Sequence, residues 1–217
     1  MAEYVSKSFN PATLITSETA ERFAPRVQGC RGREPRNWAA NPYGTFQYSA
    51  RFSDVMDVIP RSEWRGLIEL QEKNQSTLTN IHQNLKVPVL DQGQTNYCWV
   101  NAPTGCVMLR RAVMGLDTKI LSPASAGGPV TNYRNVGGYG AKALKQIAEA
   151  GVCETSFWPA NAIDSRYHTP EAIANAKLYR FTDWIECEPG NFDQYATCLL
   201  KGIPCFVGLN WWGHEVE

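Results

Sequence analysis

Residues 91–99 constrain this chain most, because they place Gln92 six residues before Cys98 at the predicted start of a helix. Apolar side chains then recur at helical intervals, at Trp99, Ala102, Cys106, Leu109 and Val113. The first N–H groups of a helix have no partner inside it, and the helix dipole favours a thiolate there. The pKa of a cysteine thiol is ordinarily about 8.5 and falls to roughly 3.5–7.5 at helix N-termini or beside a cationic imidazole. The position of Cys98 therefore suits a nucleophile.

Cys98 also has a plainer interpretation, since free cysteines are commonly small buried apolar residues. The spacing from Gln92 favours the nucleophile. Acyl transfer through sulfur needs donors for the oxygen that becomes negative, and the Gln92 amide can lie beside the Cys98 backbone N–H. Removing one such donor costs roughly a hundred- to thousandfold in rate.

Further segments follow one another in a recognisable order: Ile59-Pro60 with Trp64-Arg65, Leu121-Ser122, Gly137-Gly138-Tyr139, Phe157-Trp158-Pro159 and Gly213-His214-Glu215-Val216. Together with residues 92–99 they resemble the papain-like cysteine peptidases over residues 58–217. The resemblance implies an α+β, two-lobed fold, with a helical lobe that carries the nucleophile and a small, incomplete antiparallel β lobe. It implies that Cys98 is the nucleophile, His214 the base and Gln92 the oxyanion donor.

Histidine is scarce, so the search for a base is short: the candidates are His82, His168 and His214. His82 falls in the polar stretch 71–84, and His168 precedes a predicted helix start, so both are interpreted as surface residues. His214 follows the apolar run 203–209, which predicts a buried strand. Its alternative role is that of a strand-end residue packed by neighbouring tryptophans.

Gly137 and Gly138 have two interpretations as well. Paired glycines most often mark a plain turn. In the order of the resemblance they line the substrate cleft, where a residue without Cβ lets an extended peptide approach the backbone and hydrogen-bond to it.

The chain departs from the family pattern at two places. Thr95 stands where the family has a disulfide cysteine, and Asn135-Val136 stand where its partner is expected, so both ends of that bridge are absent together. The chain also ends three residues after His214, before the Asn-Ser-Trp segment that supplies the third catalytic residue. We therefore weigh a fragment or cleavage product, a remainder supplied by another polypeptide, and loss of activity.

The coarse organisation follows from turn and capping signals. Residues 1–57, rich in proline, predict an extended N-terminal arm with little regular structure, and residues 58–217 the papain-like domain. The helical lobe is expected over about 86–165 and the β lobe over about 166–217 with 58–66, leaving 67–84 as a polar, helix-like insertion. Smaller elements are predicted as follows: a helix opened by Thr169-Pro170, a strand over 178–185, and a helix capped by Asn191 and Gln194.

Charge balance and hydropathy limit the classes of partner and the cellular compartments that we expect for this protein. Lysine plus arginine and aspartate plus glutamate both number 21, which favours neither nucleic acid nor an anionic membrane as partner. The first residues lack the apolar core of a secretion signal, and no apolar run approaches the roughly 18 residues of a membrane span. We expect a cytoplasmic protein, or one inside a particle assembled there.

Seven cysteines raise the question of disulfides and metals. The odd number and the absence of a Cys-x-x-Cys pair predict reduced, mostly buried thiols, no metal site and no cofactor.

Two functions follow as hypotheses. The first is a papain-like peptidase, with a peptide or protein as substrate; a different thiol hydrolase or an acyltransferase would use the same residues. The alternative is a catalytically inactive binding or structural subunit of a larger assembly, with a protein partner for the N-terminal arm or the incomplete β lobe.

Overall fold

The computed structural model describes residues 49–207, and within them the chain forms eight α-helices and two short strands. In chain order the elements are β1 (Ser49–Arg51), α1 (Phe52–Val55), α2 (Arg61–Lys73), α3 (Leu78–Asn84), α4 (Cys98–Val113), α5 (Pro123–Thr131), α6 (Gly140–Glu149), α7 (Pro170–Ala176), β2 (Trp184–Glu186) and α8 (Phe192–Leu200). Single 3₁₀ turns occur at Ser165–Tyr167 and Lys177–Tyr179. The described part is therefore helix-rich with a small sheet, in agreement with the expected α+β class.

Helix α4 is the centre of the main core. It packs against α3, α5 and α6, and its buried side chains include Val100, Val107 and Met108. The buried face differs from the predicted one, since Ala102 is exposed and Cys106 only half-buried. The helix starts at Cys98, as predicted, and is rotated so that residues next to the expected stripe enter the core.

The small sheet corrects two expectations. Strands β1 and β2 pair in parallel, with Ser49 opposite Trp184 and Arg51 opposite Glu186, whereas the expected β lobe was antiparallel. Residues 49–55 of the expected arm form β1 and α1, and Phe52 is only 2% exposed because it packs beside Cys187 and Cys198. This burial orders the last part of the arm; residues 1–48 lie outside the described residues.

Other predictions of the β lobe also differ from the structure. Of residues 178–185, only the last two lie in β2, because β1 offers a paired edge of three residues. Residues 203–207 form no strand, and the rest of that predicted strand lies outside the described residues. Residues 58–66, assigned to the β lobe, lead instead into α2, and the predicted helix-like insertion 67–84 comprises most of α2 and all of α3.

The predicted helix starts are confirmed by their caps. The Thr169 hydroxyl accepts a hydrogen bond from the Ala172 N–H (3.2 Å) ahead of α7, which has proline at its first position. The Asn191 side chain accepts from the Gln194 N–H (3.3 Å), and the Gln194 side chain accepts from the Glu188 N–H (2.7 Å). The Thr169 and Asn191 bonds each satisfy an N–H that a helix start leaves open, whereas the Gln194 bond ties α8 to the loop before it. No helix in residues 49–207 is both long and apolar enough to cross a bilayer.

Candidate active site

Cys98 is the first residue of α4 and is half-buried. The preceding carbonyl, that of Tyr97, accepts from the N–H groups of Val100 (3.1 Å) and Asn101 (2.9 Å). The ring of Tyr97 is 1% exposed, and its hydroxyl pairs with the Thr131 hydroxyl at 2.6 Å. Burial raises the pKa of the Tyr97 phenol, so the group stays neutral. The residue before the thiol is thus fixed by both its backbone and its side chain.

A tight turn leads up to this helix start. The Gln92 carbonyl accepts from both the N–H (3.0 Å) and the hydroxyl (2.8 Å) of Thr95. Gly93 has φ +55°, a left-handed conformation that favours glycine, and its N–H donates to the Asp91 carboxylate at 2.9 Å. Gln92 itself is half-buried. The closed turn sets the position of its backbone.

Two asparagines from distant parts of the chain hold the same loop. The Asn135 side chain accepts from the Asn96 N–H (2.7 Å) and donates to the Gln94 carbonyl (3.2 Å). The Asn161 side chain donates to the Asp91 carbonyl at 2.9 Å. In the sequence Asn135 is recognisable only as the place of a lost cysteine, and nothing marks Asn161, because hydrogen bonds across 39 to 70 residues leave no periodic signal.

Gly138 lies directly against the neighbour of the thiol. A Cβ at Gly138 would stand 2.6 Å from the indole of Trp99. The immediate packing reason for a glycine here is therefore contact with Trp99. Both Gly137 and Gly138 are half-buried, and their role toward a substrate stays a prediction.

The segment after α8 returns to this region. A Cβ at Gly140 would stand 2.5 Å from the ring of Phe206, so residue 206 lies against the start of α6. Phe206 also packs with Leu144 and Trp184. Phe206, next to the last described residue, thus contacts Gly140, which is two positions after Gly138 in the sequence. The chain continues from there towards His214.

Two of the three histidines lie among the described residues. His214 lies outside the described residues. His168 is exposed, and its Nδ1 hydrogen-bonds to the Tyr133 hydroxyl beside the Trp158 ring. His82 lies near the end of α3.

Three other described thiols have raised pKa values, and a fourth has a lowered one. Burial raises the pKa of Cys106 to about 12, and burial also raises the pKa of Cys153. The Cys187 and Cys198 sulfurs are 4.0 Å apart, and hydrogen bonding to Cys187 and Cys205 raises the pKa of Cys198. The same bond from Cys198 lowers the pKa of Cys205.

The six described cysteines form no disulfide with one another, while Cys30 lies outside the described residues. Three of the six are fully buried. No cluster of potential ligands that could hold a metal occurs among residues 49–207.

Comparisons with known proteins give one structural likeness. No protein-family model matches the chain, and no curated protein matches it. A solved structure that resembles it is xylellain, a cysteine protease from Xylella fastidiosa, with 16% sequence identity and a TM-score of 0.51. The likeness covers 81% of this chain and 64% of the xylellain chain, so the chain spans less than two thirds of that structure. The chain thus shares the fold of a cysteine protease.

Proposed function

We propose that this protein is a cysteine-dependent hydrolase, in its most specific form a papain-like peptidase. The observation that carries the proposal is the position of Cys98, at the first residue of a buried helix, behind a loop anchored at both ends. That position occurs in a fold shared with a cysteine protease. Nucleophilic cysteines are favoured at helix N-termini, where the dipole stabilises the thiolate.

The proposed reaction proceeds through a thioester. The Cys98 thiolate adds to the carbonyl carbon of a peptide bond, and the oxygen that becomes negative accepts from the Gln92 amide and the Cys98 N–H. His214 gives its proton to the departing amine, which breaks the C–N bond. Water, deprotonated by His214, then attacks the thioester and returns the thiol.

The path of the chain supports His214 as the base. Phe206 lies against Gly140, close in sequence to Gly138, and Gly138 contacts Trp99 beside the thiol. His214 follows seven residues after Val207, the last described residue. Seven residues span at most roughly 25 Å when fully extended. The reach is therefore sufficient for an imidazole to approach Cys98.

The turn around Gly93 supports Gln92 as the oxyanion donor. The backbone of Gln92 is fixed by the two bonds from Thr95, which limits the positions that its side chain can take. A preorganised donor stabilises a transition state more than a mobile one, since it needs no reorganisation during the reaction. We propose Gly137 and Gly138 as the backbone against which an extended peptide binds.

The proposal is tested with a panel of fluorogenic peptides and the variants Cys98→Ala and His214→Ala. Both are expected to abolish hydrolysis while the circular dichroism spectrum and the thermal midpoint stay near those of the wild type. Cys106→Ala is the matched control, because this thiol lies on the same helix and burial raises its pKa to about 12. Hydrolysis that survives Cys98→Ala would refute the proposal.

A second candidate function, a binding or structural subunit, is favoured by helix α2. None of the side chains of α2 is buried, and Ile68 and Leu70 are 43% and 53% exposed. The two side chains lie on different sides of α2, and each leaves apolar surface that a protein partner would cover. This function predicts that no peptide is cleaved and that charged substitutions on α2, such as Leu70→Glu, abolish assembly without altering the fold.

A further inference from the structure

We propose that Asn135 is a positioning residue of the nucleophile loop: its side chain is a non-covalent clamp that holds residues 94–96 in register with the start of α4. The inference rests on the proposed function for its catalytic consequence. The contacts that carry it are three hydrogen bonds between Asn135 and the loop.

The clamp uses both ends of the asparagine amide. The side-chain oxygen accepts from the Asn96 N–H at 2.7 Å, and the side-chain nitrogen donates to the Gln94 carbonyl at 3.2 Å. The Asn135 carbonyl also accepts from the Asn96 side chain at 3.2 Å. An amide supplies a donor and an acceptor together, whereas a carboxylate supplies only acceptors and an aliphatic side chain supplies neither.

The clamp acts on the part of the chain between the two proposed catalytic groups. Asn96 stands two residues before Cys98, and between them Tyr97 is anchored in the core through its hydroxyl. On the other side, Thr95 closes the turn on the Gln92 carbonyl. Asn135 therefore fixes the segment that sets the distance between the oxyanion donor and the thiol.

The clamp also lies where the resemblance implies a disulfide. Thr95 and Asn135-Val136 occupy the places at which the sequence resemblance leads one to expect the two cysteines of a disulfide. The hydrogen bonds join those same two segments. A tether of this kind is indifferent to thiol reductants, so the loop keeps its geometry where a disulfide would be reduced.

The exposure of Asn135 distinguishes a role in positioning the loop from a role in global stability. Asn135 is exposed, so its hydrogen bonds compete with water and contribute little to global stability. A misplacement of about 1 Å near reacting groups can nevertheless cost on the order of a hundredfold in rate. Loss of the clamp is therefore expected to change the loop and the chemistry much more than the thermal midpoint.

The experiment compares Asn135→Leu and Asn135→Asp with the wild type and with Asn191→Ala. Asn191 is the matched control, because its side chain also makes one bond to a backbone N–H (3.3 Å) and one donated bond, to Glu188 (2.9 Å), at the start of α8. Three quantities are measured: amide hydrogen exchange over residues 92–98, the pH profile of Cys98 alkylation by iodoacetamide, and peptide hydrolysis with and without dithiothreitol.

The clamp predicts that Asn135→Leu speeds exchange of the Asn96 amide at least about tenfold, since its acceptor is gone. The alkylation profile of Cys98 shifts towards the ordinary thiol pKa of about 8.5. The kcat for peptides falls about tenfold with KM within about twofold. Asn135→Asp, which keeps the acceptor for the Asn96 N–H, is expected to retain slower exchange than Asn135→Leu, and dithiothreitol leaves wild-type kcat unchanged.

Two results would overturn the clamp: exchange and alkylation profiles of Asn135→Leu equal to those of the wild type, or equal changes in Asn191→Ala. Exchange and alkylation need no substrate. If no peptide is cleaved but these two readouts respond as expected, the proposed function fails and the clamp stands. If peptides are cleaved and Asn135→Leu retains wild-type kcat and exchange, the clamp alone fails.

Discussion

The indole of Trp99 lies so close to Gly138 that a Cβ on that glycine would stand 2.6 Å from the ring. Trp99 is 2% exposed and follows Cys98 directly, so the contact joins the start of α4 to the segment before α6. The same contact ties the proposed nucleophile to the proposed substrate-binding backbone.

Gly138→Ala is therefore expected to destabilise the protein, because either the indole or the backbone must shift to admit the methyl group. Such overpacking typically costs about 1–3 kcal/mol, measured as a lower urea midpoint. The matched control is Gly105→Ala in the same helix as Trp99, where a Cβ would meet no atom within 4 Å among the described residues. That control is expected to be neutral or stabilising by up to about 1 kcal/mol. Equal effects of the two substitutions would contradict the packing argument.

Gln92→Ala is expected to lower kcat for peptides roughly a hundred- to thousandfold, since one oxyanion donor is removed. Alkylation of Cys98 by iodoacetamide forms no oxyanion, so its rate is expected to stay within about twofold of the wild type. Gln94→Ala is the control, because Gln94 bonds to Asn135 through its backbone carbonyl, which the substitution keeps. If both variants lowered kcat equally, Gln92 would have no specific role as donor.

Glu154 gives the fold a defined response to acid. Hydrogen bonds from Asn175 and from the Tyr179 hydroxyl (2.7 Å) lower the pKa of the Glu154 carboxyl. A carboxyl whose pKa is lowered by folding stabilises the protein above its unfolded pKa, and the contribution is lost as the pH falls through the folded value. Burial of Tyr179 and, second, its hydrogen bond to the Glu154 carboxylate raise the pKa of Tyr179 to about 12.

Tyr179→Phe is expected to cost about 1 kcal/mol in the free energy of unfolding at pH 7, less than the roughly 1.5–3 kcal/mol typical of a hydrogen bond to a charged group, because Glu154 is only half-buried. The ring contact with Arg111, 4.7 Å from its guanidinium carbon to the ring centre, is retained. The difference from the wild type should shrink below about pH 4.3, where an unperturbed glutamate protonates. Tyr167→Phe serves as the control, because among the described residues the hydroxyl of Tyr167 takes part only in an exposed hydrogen bond, from the Arg166 guanidinium (3.2 Å). A pH-independent difference for Tyr179→Phe would contradict the role of Glu154.

The helix starts could be predicted because their signals are local. Asn191 with Gln194, and Thr169 before a proline, satisfy nearby backbone donors whatever the rest of the fold does. The start of α4 at Cys98 was predictable from the apolar periodicity, while its rotation was not. Rotation depends on which neighbouring helices cover α4, and sequence spacing alone does not identify them.

The sheet and the clamp depend on distant residues. Strands of three residues carry too little alternation to be recognised, and β1 pairs with β2 across more than 130 positions. The bonds of Asn135 and Asn161 to the loop also cross long stretches of chain, 39 and 70 residues. The local part of the site, Gln92 with Cys98, could be predicted as a candidate; its supporting residues required the structure.

Cys98 is proposed to be an activated nucleophile, and site-resolved alkylation measures that reactivity without a substrate. Native protein and His214→Ala are treated at pH 6 with iodoacetamide and with an epoxysuccinyl peptide, and each of the seven cysteines is quantified by peptide mapping. Cys205→Ser is run in parallel, because the hydrogen bond from Cys198 lowers the pKa of Cys205.

The account predicts that Cys98 reacts at least about tenfold faster than every other cysteine with the epoxysuccinyl peptide, in the wild type and in Cys205→Ser, and that His214→Ala removes this advantage. If Cys98 reacts no faster than Cys106, whose pKa burial raises to about 12, the account is contradicted.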